Sequence, residues 1–209
     1  MASASSVLTD DSLISRLDRM LLPVETAMIV VSGLFTFGLM FLAVFSVGGR
    51  EFFGSPLRGY VDWIEMAMPF IAIFGISYVQ RSGAHIRMDI VIGFFKGRML
   101  WAAELVMTIL ILLLIAFLLW GAWAHFDRSF DFSRPNWSRD SSIDINLPIW
   151  PAKLSVVAAF AVLVLRAALQ VWAYGRALFL GLDRPAAVPF TPTIEEQAAA
   201  EAEQVTGRD

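Results

Sequence analysis

Apolar residues in this chain are gathered into long runs instead of alternating with polar ones. Four runs stand out, over roughly 26–47, 61–79, 100–123 and 152–174, the last extendable to Leu180. A hydrocarbon core of about 30 Å takes about 20 helical residues to cross. Backbone in lipid must satisfy its own hydrogen bonds, so each run predicts a transmembrane helix. The expected fold class is an all-α integral membrane protein. Aromatic rings mark the expected ends: Tyr60, Trp63 and Tyr78 on the second run, Trp101, Trp120 and Trp123 on the third, Trp150, Trp172 and Tyr174 on the fourth. Such half-polar rings favour the headgroup level.

The flanks predict less regular pieces. Residues 1–25 form a polar lead-in, too polar for a cleaved signal sequence. Within it Thr9 to Leu22 reads as an amphipathic helix lying in the interface. Leu13, Leu17, Met20 and Leu21 share one face, and Asp10, Asp11 and Ser12 offer capping groups; a frayed tail is the alternative. From Arg184 the composition turns to Pro, Ala and Glu. A capping-box pattern at Thr193-Ile194-Glu195-Glu196 allows a short helix there, but 181–209 is expected to be a flexible tail.

Charge sets an expected orientation. With the N-terminus inside, the inner connections hold Arg16, Arg19, Arg81, Arg87, Lys96, Arg98, Arg176 and Arg184. The outer ones hold Arg50, Arg58, Arg128, Arg134, Arg139 and Lys153. This modest bias places both termini of a multi-pass membrane protein in the cytoplasm. Composition agrees with the class: 57% of residues are hydrophobic and the mean hydropathy is +0.66. The absence of cysteine removes thiolate chemistry and disulfides. A net charge of −3 without a basic stripe argues against nucleic acid as a partner.

The outer connection, 125–151, is long and mixes Phe126, Phe130, Phe132 and Trp137 with Asp127, Asp131, Asp140 and Asp144. The aspartate spacing does not match a calcium loop. The connection is expected to be a lid packed over the bundle, or a docking surface for an external protein.

Ionisable groups inside spans are costly and usually paired. Asp62 sits at the outer rim and can be wet. Glu65, one turn deeper, is expected to pair with Lys153 or face a partner. Glu104 lies about 7 Å inside the inner boundary and Arg166 about 12 Å from it, at 1.5 Å per residue. An Arg side chain reaches several ångströms, so Glu104 and Arg166 are expected to form a buried ion pair, within the chain or toward a partner, with Gln170 on the same face as Arg166. Ser155, Ala158, Ala159 and Ala161 give the last span a small surface suited to close helix contact.

The remaining polar concentration is the inner connection Gln80-Arg81-Ser82-Gly83-Ala84-His85-Ile86-Arg87-Met88-Asp89. His85 titrates near neutral pH in isolation, yet a bond to a backbone carbonyl or to Asp89 suits it better, with Gly83 allowing the tight backbone. Asp89 can cap a short helix over 90–95, and Arg81 and Arg87 can hold anionic headgroups.

With Trp63-Ile64-Glu65 and Gly75 before it, this connection resembles the small membrane subunit of TRAP (tripartite ATP-independent periplasmic) transporters, the DctQ type. The shared pattern is Glu65, Gly75, then Arg81, Gly83, His85 and Asp89. Ile145-Asn146-Leu147-Pro148-Ile149-Trp150-Pro151-Ala152-Lys153 is similar to the family's lead into its last helix. The likeness covers roughly Leu13 to Leu180 and is nearest the mannitol or chloroaromatic branch. It implies a non-enzymatic scaffold for a large DctM-type membrane subunit. A periplasmic binding protein delivers an organic anion, an ion gradient (sodium by the family's habit) drives uptake, and no cofactor is needed.

Two other readings compete. A haem-bearing anchor of a respiratory enzyme needs two close ligands, and His85 and His125 fall on opposite faces of the expected topology. An autonomous small transporter needs a polar path, for which only Glu65, Glu104, Arg166 and Gln170 are available.

Overall fold

The structure, a computed structural model, describes residues 13–55, 57–82 and 98–180. Among these the elements run α1 (Leu13–Phe53), α2 (Tyr60–Ile73), α3 (Ile76–Ser82), α4 (Arg98–Ser129), a 3-10 turn (Pro135–Trp137) and α5 (Trp150–Leu180). Counting α2 and α3 as one segment, four helices are long and apolar enough to cross a membrane. The all-helical class is therefore present, with four candidate spans over the expected apolar runs. The 1–12 lead-in, the 83–97 connection and the 181–209 tail lie outside the described residues.

The first span is longer than its apolar run. α1 continues without interruption across residue 25 and through Pro23, over 41 residues, or about 60 Å at 1.5 Å per residue. What the pattern presents as a separate surface helix over 9–22 is, from Leu13 onward, the first turns of α1. Leu13, Leu17 and Met20 remain exposed there, while Ile14, Ser15 and Asp18 are buried. The buried side of this segment carries Ser15 and Asp18 beside Ile14 and turns toward the other helices, while Arg16 and Arg19 are exposed.

The second span is broken once, at Phe74-Gly75, between α2 and α3. In an unbroken helix the Ile71 carbonyl would accept the Gly75 N–H. Here Ser32 of α1 donates its hydroxyl to that carbonyl at 3.3 Å, satisfying a group that lipid would leave unpaired. Stacking of Phe35 on Phe70, centroids 4.3 Å apart, holds α1 against α2 beside the break.

α5 is the central element and packs against each of the other helices, while α4 packs chiefly on α5. Small residues make this possible. Ala152, Ser155, Ala159, Ala167, Ala173 and Ala177 of α5 are all buried, and allow close backbone approach. Of the expected small-residue patch, Ser155 and Ala159 face inward, whereas Ala158 is exposed. Near the end of α5 that follows Gln170, Tyr174 stacks on Trp101 of α4 at 6.2 Å, and both pack with Ile14 of α1.

Candidate functional site

Three helices each turn polar side chains toward one point. α1 contributes Asp18 and Glu25, seven residues apart and so nearly on one face. α3 contributes Ser77 and Arg81, and α5 contributes Arg166 and Gln170, each pair four apart. Asp18, Glu25, Arg166 and Gln170 are fully or almost fully buried.

The Arg166 guanidinium is the hub. Its Nε donates to Glu25 Oε1 and its Nη2 to Glu25 Oε2, each at 2.7 Å. Its Nη1 donates to Asp18 Oδ1. Asp18 is gripped again by Arg81 as a fork, from Nε at 3.2 Å and Nη2 at 2.9 Å. Ser77 donates its hydroxyl to Glu25 at 2.6 Å. Beside the ions, the Gln80 amide donates to Gln170 Oε1 at 2.8 Å, and the Gln170 amide returns a bond to the Gln80 carbonyl at 3.2 Å. Two carboxylates and two guanidiniums make the cluster neutral. Among the described residues no buried side-chain nitrogen or oxygen lacks a partner. Burying ions this way is tolerable only when their remaining hydrogen-bonding capacity is met, and here it is.

Arg166 thus spends its three nitrogens on Asp18 and Glu25, not on the expected Glu104. The reason is the length of α1, which carries two carboxylates down to the level of Arg166. Glu104 is buried on α4, where its carbonyl accepts the Thr108 hydroxyl at 2.7 Å. Arg81 is likewise committed to Asp18 rather than free for headgroups.

A second polar assembly closes the opposite end. Asp62, in the first turn of α2, accepts on one oxygen from the Ser142 hydroxyl at 2.6 Å and from the N–H groups of Asp144 (3.1 Å) and Ile145 (2.8 Å). Asp144 reciprocates by accepting the Gly59 N–H at 2.6 Å. Gly59 has φ +74°, and a Cβ there would lie 2.5 Å from the Ile145 side chain. Asp62 is therefore not a wet rim group; it is buried and ties the loop down. Lys153 pairs with Asp140 at 2.9 Å and also donates to Ser129, so it is not the partner of Glu65. Above them Phe126, Phe130, Phe132, Trp137 and Trp150 form a chain of ring contacts with centroids 4.7–6.3 Å apart, and the Trp150 indole donates to the Asn136 carbonyl at 2.9 Å. Of the two expectations for the connection, the packed lid is the one this geometry matches. Hydrogen bonds from Ser133 and then Arg139 hold the Asp131 carboxyl down at about 2. Ser129 first, then Lys153, hold Asp140 below the ordinary range.

The sequence matches the family described as tripartite ATP-independent periplasmic transporters, DctQ component, over residues 36–175. That is well over half of the 209 residues. The chain belongs to the DctQ family. No curated protein matches it. As a DctQ component it is part of a transporter and not an enzyme.

Against the DctQ-like residue pattern, the structure distributes the members widely. Glu65 is exposed on α2 and makes no hydrogen bond or ion pair among the described residues. Gly75 lies at the α2–α3 break, where an added Cβ would meet only Ile29 at 3.9 Å, an ordinary contact. Arg81 belongs to the buried cluster. Gly83, His85 and Asp89 lie outside the described residues. His125, exposed near the loop end of α4, takes no part in either assembly. Pro148 forms an isolated bridge with Ser141, Trp150 and Pro151 open α5, and Lys153 anchors the loop through Asp140. Asp18, Glu25 and Ser77 were missed as site residues, although their four- and seven-residue spacings were a usable signal.

Proposed function

We propose that this DctQ chain is the scaffolding small permease subunit of a TRAP transporter in the bacterial inner membrane. It braces a large DctM-type subunit while that subunit takes up an organic anion from a periplasmic binding protein, with sodium as the coupling ion. The mannitol or chloroaromatic branch is the nearest assignment for the substrate class. Both termini are assigned to the cytoplasm, which makes 130–149 a periplasmic cap and the Asp18–Arg166 cluster the inner half of the bundle. The Lys and Arg bias supports this orientation.

The closed cluster is the observation that carries the scaffold role. A transport path requires polar groups free to exchange partners with a passing ion or substrate. Asp18, Glu25, Arg81 and Arg166 are instead neutralised by one another, all buried except Arg81, which is partly buried. Such a cluster fixes how three helices sit together, which is what a brace needs.

The test is reconstitution. Vesicles holding both membrane subunits, with the binding protein outside, should accumulate substrate under an inward sodium gradient. Vesicles holding this chain alone should not. Uptake by this chain alone, or failure of the two membrane subunits to co-purify in mild detergent, defeats the proposal.

A further inference from the structure

Each helix presents an outward face, and the faces differ in what can cover them. On α4, Val106, Met107, Leu110, Leu113, Leu114 and Phe117 are exposed and wholly apolar. On α1, Leu34, Phe37, Phe41, Val44 and Phe45 are the same. Lipid tails cover such surfaces at no electrostatic cost. The face of α2 is different. Val61, Glu65, Met68 and Ala72 are exposed at the i, i+4, i+7, i+11 spacing of a single helical stripe. Within the four spans expected from the sequence, Glu65 is the exposed acidic or basic residue among those described. The other charges there are buried or, like Lys153, paired.

Glu65 lies about 7.5 Å along the helix from Tyr60, at 1.5 Å per residue. Its stem is short, so it cannot snorkel as Lys and Arg do. Lys153, the cation expected from the sequence to pair with it, is held by Asp140 at 2.9 Å. A carboxylate on the outward side of a span is stable when a second protein meets it with a donor.

We propose that the α2 stripe Val61–Glu65–Met68–Ala72 is the surface on which the large membrane subunit docks. Its contact residue for Glu65 is a basic side chain, Arg or Lys, on a membrane helix. This rests on the subunit reading above and adds to it which face is used. The rest of the stripe fits the role: Ala72 is small and Met68 adaptable, so a partner helix can approach closely along the side that carries the charge.

The experiment uses the full chain co-expressed with the large subunit. Glu65→Leu should lower the co-purified large subunit at least tenfold. Glu65→Gln, which keeps an acceptor but loses the charge, should lower it by less. The chain has no cysteine, so Met68→Cys and Ala72→Cys can each carry a benzophenone cross-linker. Both should capture the large subunit, whereas Leu110→Cys and Leu114→Cys on α4 should not. If Glu65→Leu does not stay monodisperse by gel filtration, the cross-links decide. Undiminished co-purification of a folded Glu65→Leu, or capture from α4 and not from α2, overturns the docking face and leaves the subunit reading standing. Wild-type chain that never co-purifies with the large subunit overturns both.

Discussion

Replacing Arg166 by leucine tests whether the buried cluster organises the bundle. The substitution removes three charge-assisted hydrogen bonds from a site where Arg166, Asp18 and Glu25 have no exposed side-chain surface. The two carboxylates do not suffer equally. Asp18 keeps the Arg81 fork, but Glu25 keeps only the Ser77 hydroxyl. A neutral interhelical hydrogen bond in a membrane averages about 0.6 kcal/mol, whereas leaving one buried ion without its partner costs about 3–5 kcal/mol. The second effect governs here, so Arg166→Leu should destabilise by about 3–5 kcal/mol. Gln170→Ala, which removes the neutral pair with Gln80, should cost about 1 kcal/mol. Adding Glu25→Leu to Arg166→Leu removes the orphaned charge, so the double variant should recover at least about 2 kcal/mol relative to the sum of the singles. Denaturant unfolding in mild detergent, followed by tryptophan fluorescence and gel filtration, measures each. A loss under about 1 kcal/mol for Arg166→Leu contradicts the argument. So does a coupling to Arg166 that appears with Glu104→Leu and not with Glu25→Leu.

Two further outcomes concern the opposite end. Gly59→Ala should loosen the 130–149 cap, since alanine adds about 1–2 kcal/mol for a left-handed backbone and about 1–3 kcal/mol for crowding Ile145; limited proteolysis should then cut the loop faster at unchanged helicity. The Asp131 and Asp140 carboxyls are depressed in the folded cap, so their contribution is complete above the ordinary value of 3.8 and is lost as pH falls, for Asp131 through about 2. Fluorescence of Trp137 and Trp150 should therefore hold steady down to about pH 4 and change below it, and Asp131→Asn should flatten the lower part of that transition.

What could be read from the sequence divides by the range of the interaction. The four spans were legible because each is a local property: about twenty apolar residues in lipid leave no structure but a helix. The ordered cap was half legible, since aromatic and acidic residues in a long connection suggest packing. They do not reveal that Asp62, eighty residues earlier, accepts the Ser142 hydroxyl. The cluster was misassigned for an identifiable reason. A surface helix over 9–22 separates Asp18 from the first apolar run, and a run that starts at Thr26 leaves Glu25 just outside it. Arg166 then had only Glu104 to pair with. Spacing held the corrective signal: Asp18 and Glu25 are seven apart, Ser77 and Arg81 four, Arg166 and Gln170 four, and each pair marks a polar stripe along one helix face. A membrane helix with a polar stripe must face another such stripe, so three stripes predict one another even when no single pair does. The same rule gives Glu65 its weight. Its stripe is apolar apart from the one carboxylate, and no ion pair or hydrogen bond meets it among the described residues, which is why the proposed partner contact is assigned there.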